Sequence, residues 1–392
     1  MTLRLWAAGR PVYDSVMRHL LLPESWKSLP AWLAEEGQPA FRARQIRHGV
    51  FVRRAADVAS LTDLPKSLRQ RLAEEFVLFT SRVVQHRQAP DGTEKLLLEL
   101  TDGGRIECVL LRDGSRRSIC ISTQVGCAMG CVFCASGLDG VKRNLTSGEI
   151  VEQMLRLAQL LPPSERISHL VVMGMGEPLA NLDGLLPALE EASAPDGLGI
   201  SPRRITISTV GLPKPLLRLA AEKPRYHLAV SLHAPSDALR SRLVPVNRRI
   251  GLEAVLAAAD RYFEASGRRL TFEYVLLGGI NDQPQHAREL AALLKGRTAL
   301  LNVIPYNPVA GLPYRTPSAG AVERFCAILR AEGINVQVRQ RKGDAIDAAC
   351  GQLRRSEPST ANVLALPSTA SNDPGLAASM APLQEAAAKP QR

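Results

Sequence analysis

The sequence predicts an α/β fold, a partial (βα)6 barrel preceded by an N-terminal helical domain and a small antiparallel sheet. From residue 118 onward, short apolar strands alternate with amphipathic helices, which is typical of parallel sheets. The segment before them is helical and basic, and the strands that follow it are separated by turns rich in Gly and Asp. Six βα units are too few to close an eight-stranded barrel, so we expect one open side.

The helical accessory domain is predicted over residues 24–77, with amphipathic helices at Ser28–Gly37, Ala40–Arg53 and Leu64–Phe76. The middle helix contains Phe41-Arg-Ala-Arg-Gln-Ile-Arg-His. Further basic residues in this domain are Arg53, Arg54, Lys66, Arg69 and Arg71. Each arginine alone is most simply part of a solvated helix face, but together they favour a domain that contacts phosphates.

The small antiparallel sheet is predicted over residues 78–117 as a connector. Its strands are Phe79–Gln88, Lys95–Leu100 and Arg105–Leu111, separated by turns at Asp91-Gly92 and Asp102-Gly103-Gly104.

The partial barrel is predicted over residues 118–353. Its strands are Ser118–Thr123, His169–Met173, Arg204–Ser208, His227–Leu232, Thr271–Leu276 and Ala299–Ile304, with a last strand at Asn335–Gln340. Its helices are Ser147–Leu161, Leu182–Ser193, Leu212–Ala221, Leu252–Ser266, His286–Leu294 and Ala319–Ala331. An open side would admit a large substrate.

The two ends of the chain carry no assigned role. Residues 1–23 form an expected N-terminal extension that lacks a clean apolar region, so we expect no signal peptide. Residues 354–392 are rich in Pro, Ala and Ser and contain no aromatic residue, which predicts a disordered tail.

Composition narrows the choice of partners and compartment. The 392-residue chain has a net charge of +11 and a pI near 9.6, which favours an anionic partner, most commonly nucleic acid. No run approaches about 18 apolar residues, so no membrane span is expected. The seven cysteines, three of them in one loop, suit a reducing cytoplasm better than a disulfide framework.

The three cysteines in one loop are the strongest chemical signal. Cys127, Cys131 and Cys134 form a C-x3-C-x2-C motif. A [4Fe–4S] cube held by three thiolates leaves one iron free to bind a small molecule, which a cluster that only transfers electrons does not need. The alternative is a zinc loop, but zinc sites usually have four ligands, and the sequence contains no partner C-x2-C or H-x3-H motif.

Other candidate residues follow later barrel strands, where the active sites of βα barrels gather. In Met173-Gly-Met-Gly-Glu-Pro-Leu, Gly176 would let the backbone approach a ligand and Glu177 could accept from an ammonium group, although a tight turn also explains the glycines. The remaining candidates at strand ends are Ser208, Ser231, Leu232, His233 and Asn307. Singly, a Ser or Asn is more often a turn or cap residue; their joint placement favours a ligand site.

Three residues outside these loops are further candidates. Cys350 lies in a polar loop flanked by Gly, and Cys120 lies within the first barrel strand. A cysteine is often simply a small buried hydrophobic residue, and this explains Cys108 and Cys326. For Cys350 this explanation and a chemical role are equally favoured. Glu107 lies on an alternating strand, where an acid usually faces solvent.

These motifs resemble a known family. A C-x3-C-x2-C loop with an aromatic residue before its last cysteine is the signature of radical S-adenosylmethionine (SAM) enzymes. Between Phe41 and Leu353 the chain resembles the bacterial RlmN group, radical SAM methyltransferases that modify adenine C2 in 23S rRNA and, in some members, tRNA. The motifs that carry this resemblance are Ser122-Thr-Gln-Val-Gly-Cys, Gly174-Met-Gly-Glu-Pro-Leu, Ser231-Leu-His-Ala-Pro, Ile304-Pro-Tyr-Asn-Pro and Asp347-Ala-Ala-Cys-Gly-Gln-Leu.

The resemblance implies a set of cofactors and roles. Cys127, Cys131 and Cys134 would hold a [4Fe–4S] cluster, and two SAM molecules would be used per turnover. The implied SAM site comprises Gly176, Glu177, Ser208, Ser231, Leu232, His233 and Asn307.

The resemblance also implies a covalent route. Cys350 would be methylated on sulfur, a 5′-deoxyadenosyl radical would remove hydrogen from that methyl group, and the resulting carbon radical would add to adenine. Glu107 would then take the ring proton, and Cys120 would attack the sulfur of Cys350, forming a transient disulfide and releasing methylated RNA.

Partners and alternatives complete these expectations. We expect 23S rRNA as a substrate, with tRNA as a second one as in some members of the family. We also expect an electron donor such as flavodoxin or ferredoxin, no membrane, and a cytoplasmic monomer. The alternatives are a Cfr-like methyltransferase acting on adenine C8, a radical SAM enzyme acting on a small molecule or protein, and a non-catalytic iron–sulfur RNA-binding protein. The last would need neither Glu107 nor the pair of Cys120 and Cys350.

Overall fold

The computed structural model describes residues 17–222 and 225–354. Most of the expected N-terminal extension, residues 1–16, and the expected disordered tail beyond residue 354 lie outside the described residues. The helices of the described part are α1 (Pro23–Glu35), α2 (Phe41–Phe51), α3 (Lys66–Glu75), α4 (Ser147–Ala158), α5 (Leu182–Ser193), α6 (Pro213–Ala221), α7 (Asp237–Leu243), α8 (Asn247–Ile250), α9 (Leu252–Ser266), α10 (Pro284–Leu294) and α11 (Ala319–Ala331).

The strands of the same described part are mostly short. They are β1 (Arg18–His19), β2 (Phe76–Val77), β3 (Arg82–Gln88), β4 (Glu94–Glu99), β5 (Arg105–Asp113), β6 (Arg116–Cys120), β7 (Gln124–Gly126), β8 (Val141–Asn144), β9 (His169–Val172), β10 (Ile205–Thr209), β11 (His227–Ser231), β12 (Leu270–Leu276), β13 (Ala299–Pro305) and β14 (Val336–Val338).

One large sheet organises the molecule. Among the described residues it has ten strands in the order β14-β13-β12-β11-β10-β9-β6-β5-β4-β3. In this sheet, β6 and β9 to β14 run parallel to their neighbours, whereas β3, β4, β5 and β6 pair antiparallel with one another. The predicted α/β fold is confirmed, and the predicted antiparallel strands extend the edge of the parallel sheet. Strand β6 joins the two parts, with Cys120 opposite Val109 on one side and Val171 on the other.

Helix α4 fastens the accessory helices to this sheet. Its N-terminus is closed by a capping box in which Thr146 and Glu149 satisfy each other's backbone amides. In its middle, the buried carboxylate of Glu152 accepts from the backbone amides of residues 80 and 81, both at 2.9 Å. At its C-terminus, the guanidinium of Arg54 donates to the carbonyls of Ala158 and Leu161. The contacts of Arg54 thus fix the accessory domain to the end of α4, and those of Glu152 fix the segment that leads from this domain into β3.

The structure has two helices, α7 and α8, in residues 233–251, where the sequence predicts none. They have seven and four residues, too short to show a clear apolar period. Both lie between β11 and α9, above the carboxyl edge of the parallel strands. Within the described chain, no helix combines the length and the apolar character that crossing a bilayer requires.

Candidate active site

The cysteine loop follows β6 and β7 and is held by backbone hydrogen bonds. The amide of Cys127 donates to the carbonyl of Gly140 at 3.0 Å, and that of Cys134 donates to the carbonyl of Cys131 at 3.1 Å. The amide of Val132 donates to the carbonyl of Leu243 at 3.1 Å, which ties the loop to the end of α7. These bonds join the cysteine loop to residue 140 on one side and to α7 on the other.

The three cysteines line one cavity at the carboxyl edge of the parallel strands, with about 890 Å³ of space not filled by protein atoms. It brings together most of the predicted site residues: Cys127, Cys131, Cys134, Gly176, Glu177, Ser208, Ser231, His233, Asn307 and Cys350. Leu232 does not line it, because its side chain is buried in the main core. Its backbone amide instead donates to the carbonyl of Glu273 at 3.0 Å.

Glu177 is buried in the wall of this cavity. Its carboxylate accepts from the hydroxyl of Thr209 at 2.6 Å, from the amide of Val210 at 3.0 Å and from the amide of Leu179 at 2.9 Å. Burial raises its pKa above the usual value, and these three donors oppose that effect. Thr209 was missed by the sequence analysis, although it directly follows the candidate Ser208.

The glycines before Glu177 are needed by the packing of the chain itself. A side chain on Gly174 would place its Cβ 2.6 Å from the carbonyl oxygen of Ile121, and one on Gly176 would lie 2.7 Å from the Cβ of Gln124. Gly176 also has a φ of +103°, which disfavours other residues. Gly176, which the sequence predicts to allow the close approach of a ligand, therefore also allows the chain to pack closely against β7, the strand before the cysteine loop.

Asn307 contributes an unused acceptor. Its Nδ2 donates to the carbonyl of Cys350 at 3.1 Å, whereas its Oδ1 is buried and has no partner among the described residues. A buried polar atom without a partner is unfavourable, so this oxygen fits a donor on a bound ligand.

His233 is held as a neutral ring beside the cluster loop. Its Nδ1 accepts from the amide of Val275 at 3.1 Å, and its ring packs edge-to-face on Phe133 at 5.0 Å. Burial, followed by the nearby charge of Arg240, lowers its pKa to about 3. The residue has a φ of +60°, a conformation that is uncommon outside functional turns.

The cavity fits an iron–sulfur cluster with SAM. Burial raises the pKa of the thiol of Cys127 to about 12 and also raises those of Cys131 and Cys134, so a metal must displace their protons. Among the described residues, no three His, Cys, Asp or Glu side chains are placed to hold a single metal ion. The free acceptor of Asn307 and the carboxylate of Glu177 suit a ligand with donor groups.

A second cavity lies beside the first and contains Cys120. It has about 690 Å³ of space not filled by protein atoms and is lined by Cys120, Met173, Arg339 and Cys350, among others. Cys350 thus borders both cavities, and both cysteines are free thiols. Burial raises the pKa of Cys120 to about 12, and the charge of Arg339 opposes that rise. The sequence analysis did not identify Arg339, which directly follows the last strand.

The loop that carries Cys350 is fastened to the cysteine loop. The amide of Ala135 donates to the carbonyl of Gly351 at 2.8 Å, and the hydroxyl of Ser136 donates to the carbonyl of Leu353 at 2.6 Å. The loop of Cys350 is therefore bonded to the two residues that directly follow Cys134, the last predicted cluster ligand. The two loops are more than 200 residues apart in sequence.

Glu107 lies apart from both cavities and is buried, so the expectation that it faces solvent was wrong. Strand β5 is covered on both faces between β4 and β6, which explains the burial. Its carboxylate forms an ion pair with Lys95 at 2.9 Å and accepts from the amide of Arg354 at 2.9 Å. Burial raises the pKa of Glu107, and Lys95 opposes this. Lys95 was missed because a lysine on a strand is most simply exposed.

Several arginines of the accessory domain already have protein partners. Arg47 pairs with Glu191 at 2.8 Å and Arg71 with Glu36 at 2.9 Å, in addition to the contacts of Arg54 with α4. These three therefore have structural roles rather than the phosphate contacts expected for the whole set. Arg44 and Lys66 are exposed.

Two family models match the chain. The model of the radical SAM superfamily matches residues 121–291, and that of the ribosomal RNA large subunit methyltransferase N-terminal domain matches residues 21–78. A probable dual-specificity RNA methyltransferase RlmN from Rhodopirellula baltica is 66% identical over 86% of this chain and 91% of its own length. The chain belongs to the RlmN family of radical SAM proteins.

Further similarities agree with RlmN membership. A second probable dual-specificity RNA methyltransferase, RlmN 3 from Opitutus terrae, is 46% identical over 89% of this chain and 98% of its own. The crystal structure of a radical SAM methyltransferase from Sphaerobacter thermophilus matches with a TM-score of 0.81 and 45% identity, covering 84% of this chain and 98% of that chain. The radical SAM superfamily implies a [4Fe–4S] cluster and SAM as cofactors.

Proposed function

We propose that this chain is an RNA methyltransferase that adds a methyl group to C2 of adenine in 23S rRNA and in tRNA, with Cys350 as the carrier of the methyl group. One observation supports this most strongly: Cys350 borders both the cavity of the three cluster cysteines and the cavity of Cys120. A sulfur that must accept a methyl group at one site and give it up at another needs access to both. The names of the RNA methyltransferase relatives agree with this activity.

The residues of the first cavity would hold the cofactors. Cys127, Cys131 and Cys134 would ligate the cluster, and Glu177 and Asn307 would orient SAM through polar contacts. When bound, the cluster and SAM supply the methyl group and the radical chemistry that an aromatic carbon requires. Gly176, Ser208, Ser231 and His233 would complete the walls, and Leu232 would act only by fixing the backbone of its loop.

The residues of the second cavity would act on RNA, together with Glu107, which lines neither cavity. The adenine must be turned out of its stack to reach a buried cysteine. Glu107 would take the ring proton, which requires Arg354 to release its carboxylate. Cys120 would then attack the sulfur of Cys350: an S–S bond forms, the bond from that sulfur to the methylene carbon breaks, and the carbon takes up a proton to become the methyl group of the released base. Arg339, whose charge opposes the pKa rise of Cys120, would favour the thiolate needed for this attack.

The accessory domain would contact RNA phosphates through exposed basic residues, Arg44 and Lys66 among them. Binding should therefore weaken steeply as salt concentration rises. The remaining expectations, a flavodoxin or ferredoxin as electron donor and a monomer in the cytoplasm, are part of the same proposal.

The test is mass spectrometry of nucleosides from 23S rRNA and tRNA after anaerobic incubation with the reconstituted protein, SAM and a reductant. We expect 2-methyladenosine in both RNAs. 8-Methyladenosine would instead support the Cfr-like alternative, which the RlmN names of the relatives disfavour. Absence of any methyladenosine from a preparation that still consumes SAM would contradict the proposed substrate.

A further inference from the structure

Arg240 on helix α7 is completely buried and has only neutral partners. Its guanidinium donates to the carbonyls of Val210 (2.7 Å), Ser231 (2.9 Å) and Leu232 (3.1 Å), and to the Oδ1 of Asn247 (2.6 Å). Within residues 17–222 and 225–354, no carboxylate oxygen lies within the 4.0 Å of an ion pair with it. The structure therefore holds a buried cation that is hydrogen-bonded but not neutralised.

A buried cation of this kind is unfavourable by itself. The desolvation of one ion is worth several kcal/mol even after relaxation of the surroundings, and carbonyl dipoles offset only part of that. Burial lowers the pKa of Arg240 to about 10, which still leaves the group charged at neutral pH. The nearest acid along the helix, Asp237, is exposed and its Oδ1 accepts from Asn247 and from the amide of Leu252. A further negative charge is therefore needed close to Arg240.

The position of Arg240 indicates where that charge lies. Two of its acceptors, Val210 and Ser231, line the cavity of the three cluster cysteines. Helix α7 is bonded to the cysteine loop through Leu243 and Val132, and its Leu239 packs in the same apolar cluster as Phe133. The guanidinium thus lies directly behind the wall of the cluster cavity, and the negative charges that act on it are those of the Cys131 thiolate and of Asp237.

We propose that Arg240 is a positioning residue whose charge balances the cluster held by Cys127, Cys131 and Cys134 and raises its reduction potential. Three thiolates bring three negative charges, and each added electron makes the site more negative. A fixed cation nearby stabilises the reduced state more than the oxidised one, and net charge and hydrogen bonding are the usual determinants of cluster potentials. This inference rests on the cluster site of the proposed function and is independent of the RNA substrate.

The test is an anaerobic potentiometric titration of the reconstituted full-length protein, followed by the electron paramagnetic resonance signal of the reduced cluster. Arg240→Gln should lower the equilibrium constant for one-electron reduction at least tenfold, which corresponds to 59 mV. Arg240→Lys, which keeps the charge and loses the forked hydrogen bonds, should shift that constant less than threefold. Equal shifts in the two variants, or no shift in Arg240→Gln at full iron content, would overturn the inference.

Two further variants separate charge from folding. Asp237→Asn keeps the Oδ1 acceptor and removes the nearest acidic charge on α7, so the potential should rise. An unchanged or lowered potential in this variant would contradict the inference even if Arg240→Gln failed to hold iron. Arg54→Gln is the matched control: Arg54 also donates to backbone carbonyls but does not line the cluster cavity. It should lower the melting temperature and leave the potential unchanged; a comparable fall in potential would mean that general destabilisation explains the effect.

Discussion

Lys95 and Glu107 form a buried ion pair, with Nζ and Oε1 2.9 Å apart, that holds both ends of the loop carrying Cys350. Lys95 also donates to the carbonyl of Asp347 at 2.9 Å, and Glu107 accepts from the amide of Arg354. The proposed base is thus bonded to the end of the loop that carries the proposed methyl carrier. Freeing the carboxylate for proton transfer requires the end of this loop to move.

Removing Lys95 should impair the base step. In Lys95→Met the cation that opposes burial is lost, so the pKa of Glu107 should rise further. A base must be deprotonated, so activity is lost as pH falls through its pKa, and this acid limb should move to higher pH. The measurement is the pH dependence of single-turnover methyl transfer. An unchanged acid limb would argue against Glu107 as the base.

The same variant should also be less stable. Breaking a buried pair by removing one partner costs about 3–5 kcal/mol, because one charge remains uncompensated. The double variant Lys95→Met/Glu107→Gln should recover part of this loss in denaturant unfolding. Arg82→Met is the control, since Arg82 pairs with Glu99 on the surface and should contribute at most about 1 kcal/mol.

Replacing Cys350 should stop methyl transfer and leave the cluster in place. The Cys350→Ala protein lacks the sulfur that borders both cavities but keeps all three cluster ligands. We therefore expect normal iron–sulfur absorbance and no methylated RNA by nucleoside mass spectrometry. Cys326→Ala, on the buried face of α11, should retain activity. Turnover like that of the unmodified protein in Cys350→Ala would refute the carrier role.

Replacing Cys120 should trap a covalent complex. Without the second thiol, the bond between Cys350 and the adenine cannot be resolved by attack on sulfur. Cys120→Ala should accumulate protein crosslinked to RNA, visible on a denaturing gel. Cys108 lies on neighbouring β5 and is fully buried, so Cys108→Ala serves as the matched control and should show no crosslink. If both variants behave alike, Cys120 has no resolving role.

Replacing Asn307 should weaken SAM binding. Its Oδ1 is a buried acceptor with no partner in the described part of the chain, and one hydrogen bond to a ligand contributes about 1.4 kcal/mol, or a factor of about ten. Equilibrium binding of SAM to reconstituted Asn307→Ala should show this loss. Asn335→Ala, at an exposed position before β14, should bind normally. Unchanged affinity in Asn307→Ala would exclude the contact.

The sequence by itself determined the local chemistry. Cys127, Cys131 and Cys134 lie within one loop, so their spacing can be recognised from the sequence alone. The candidates that follow the parallel strands meet at one edge of the sheet, because parallel strands end on the same side. Helix α5 was predicted with its observed bounds, since its apolar period is long and clear. Short helix α7 was not, because seven residues carry too little periodicity.

Only the tertiary structure decided the contacts between distant segments. The bond from Lys95 to Asp347 joins residues 252 apart, and that from Arg354 to Glu107 joins residues 247 apart. Burial of Glu107 follows from packing on both faces of β5, where the loop that ends at Arg354 contacts its carboxylate, and that of Arg240 follows from a short helix packed on the cysteine loop. Local patterns report the chemistry of a segment, whereas burial and charge balance depend on which segments pack against it.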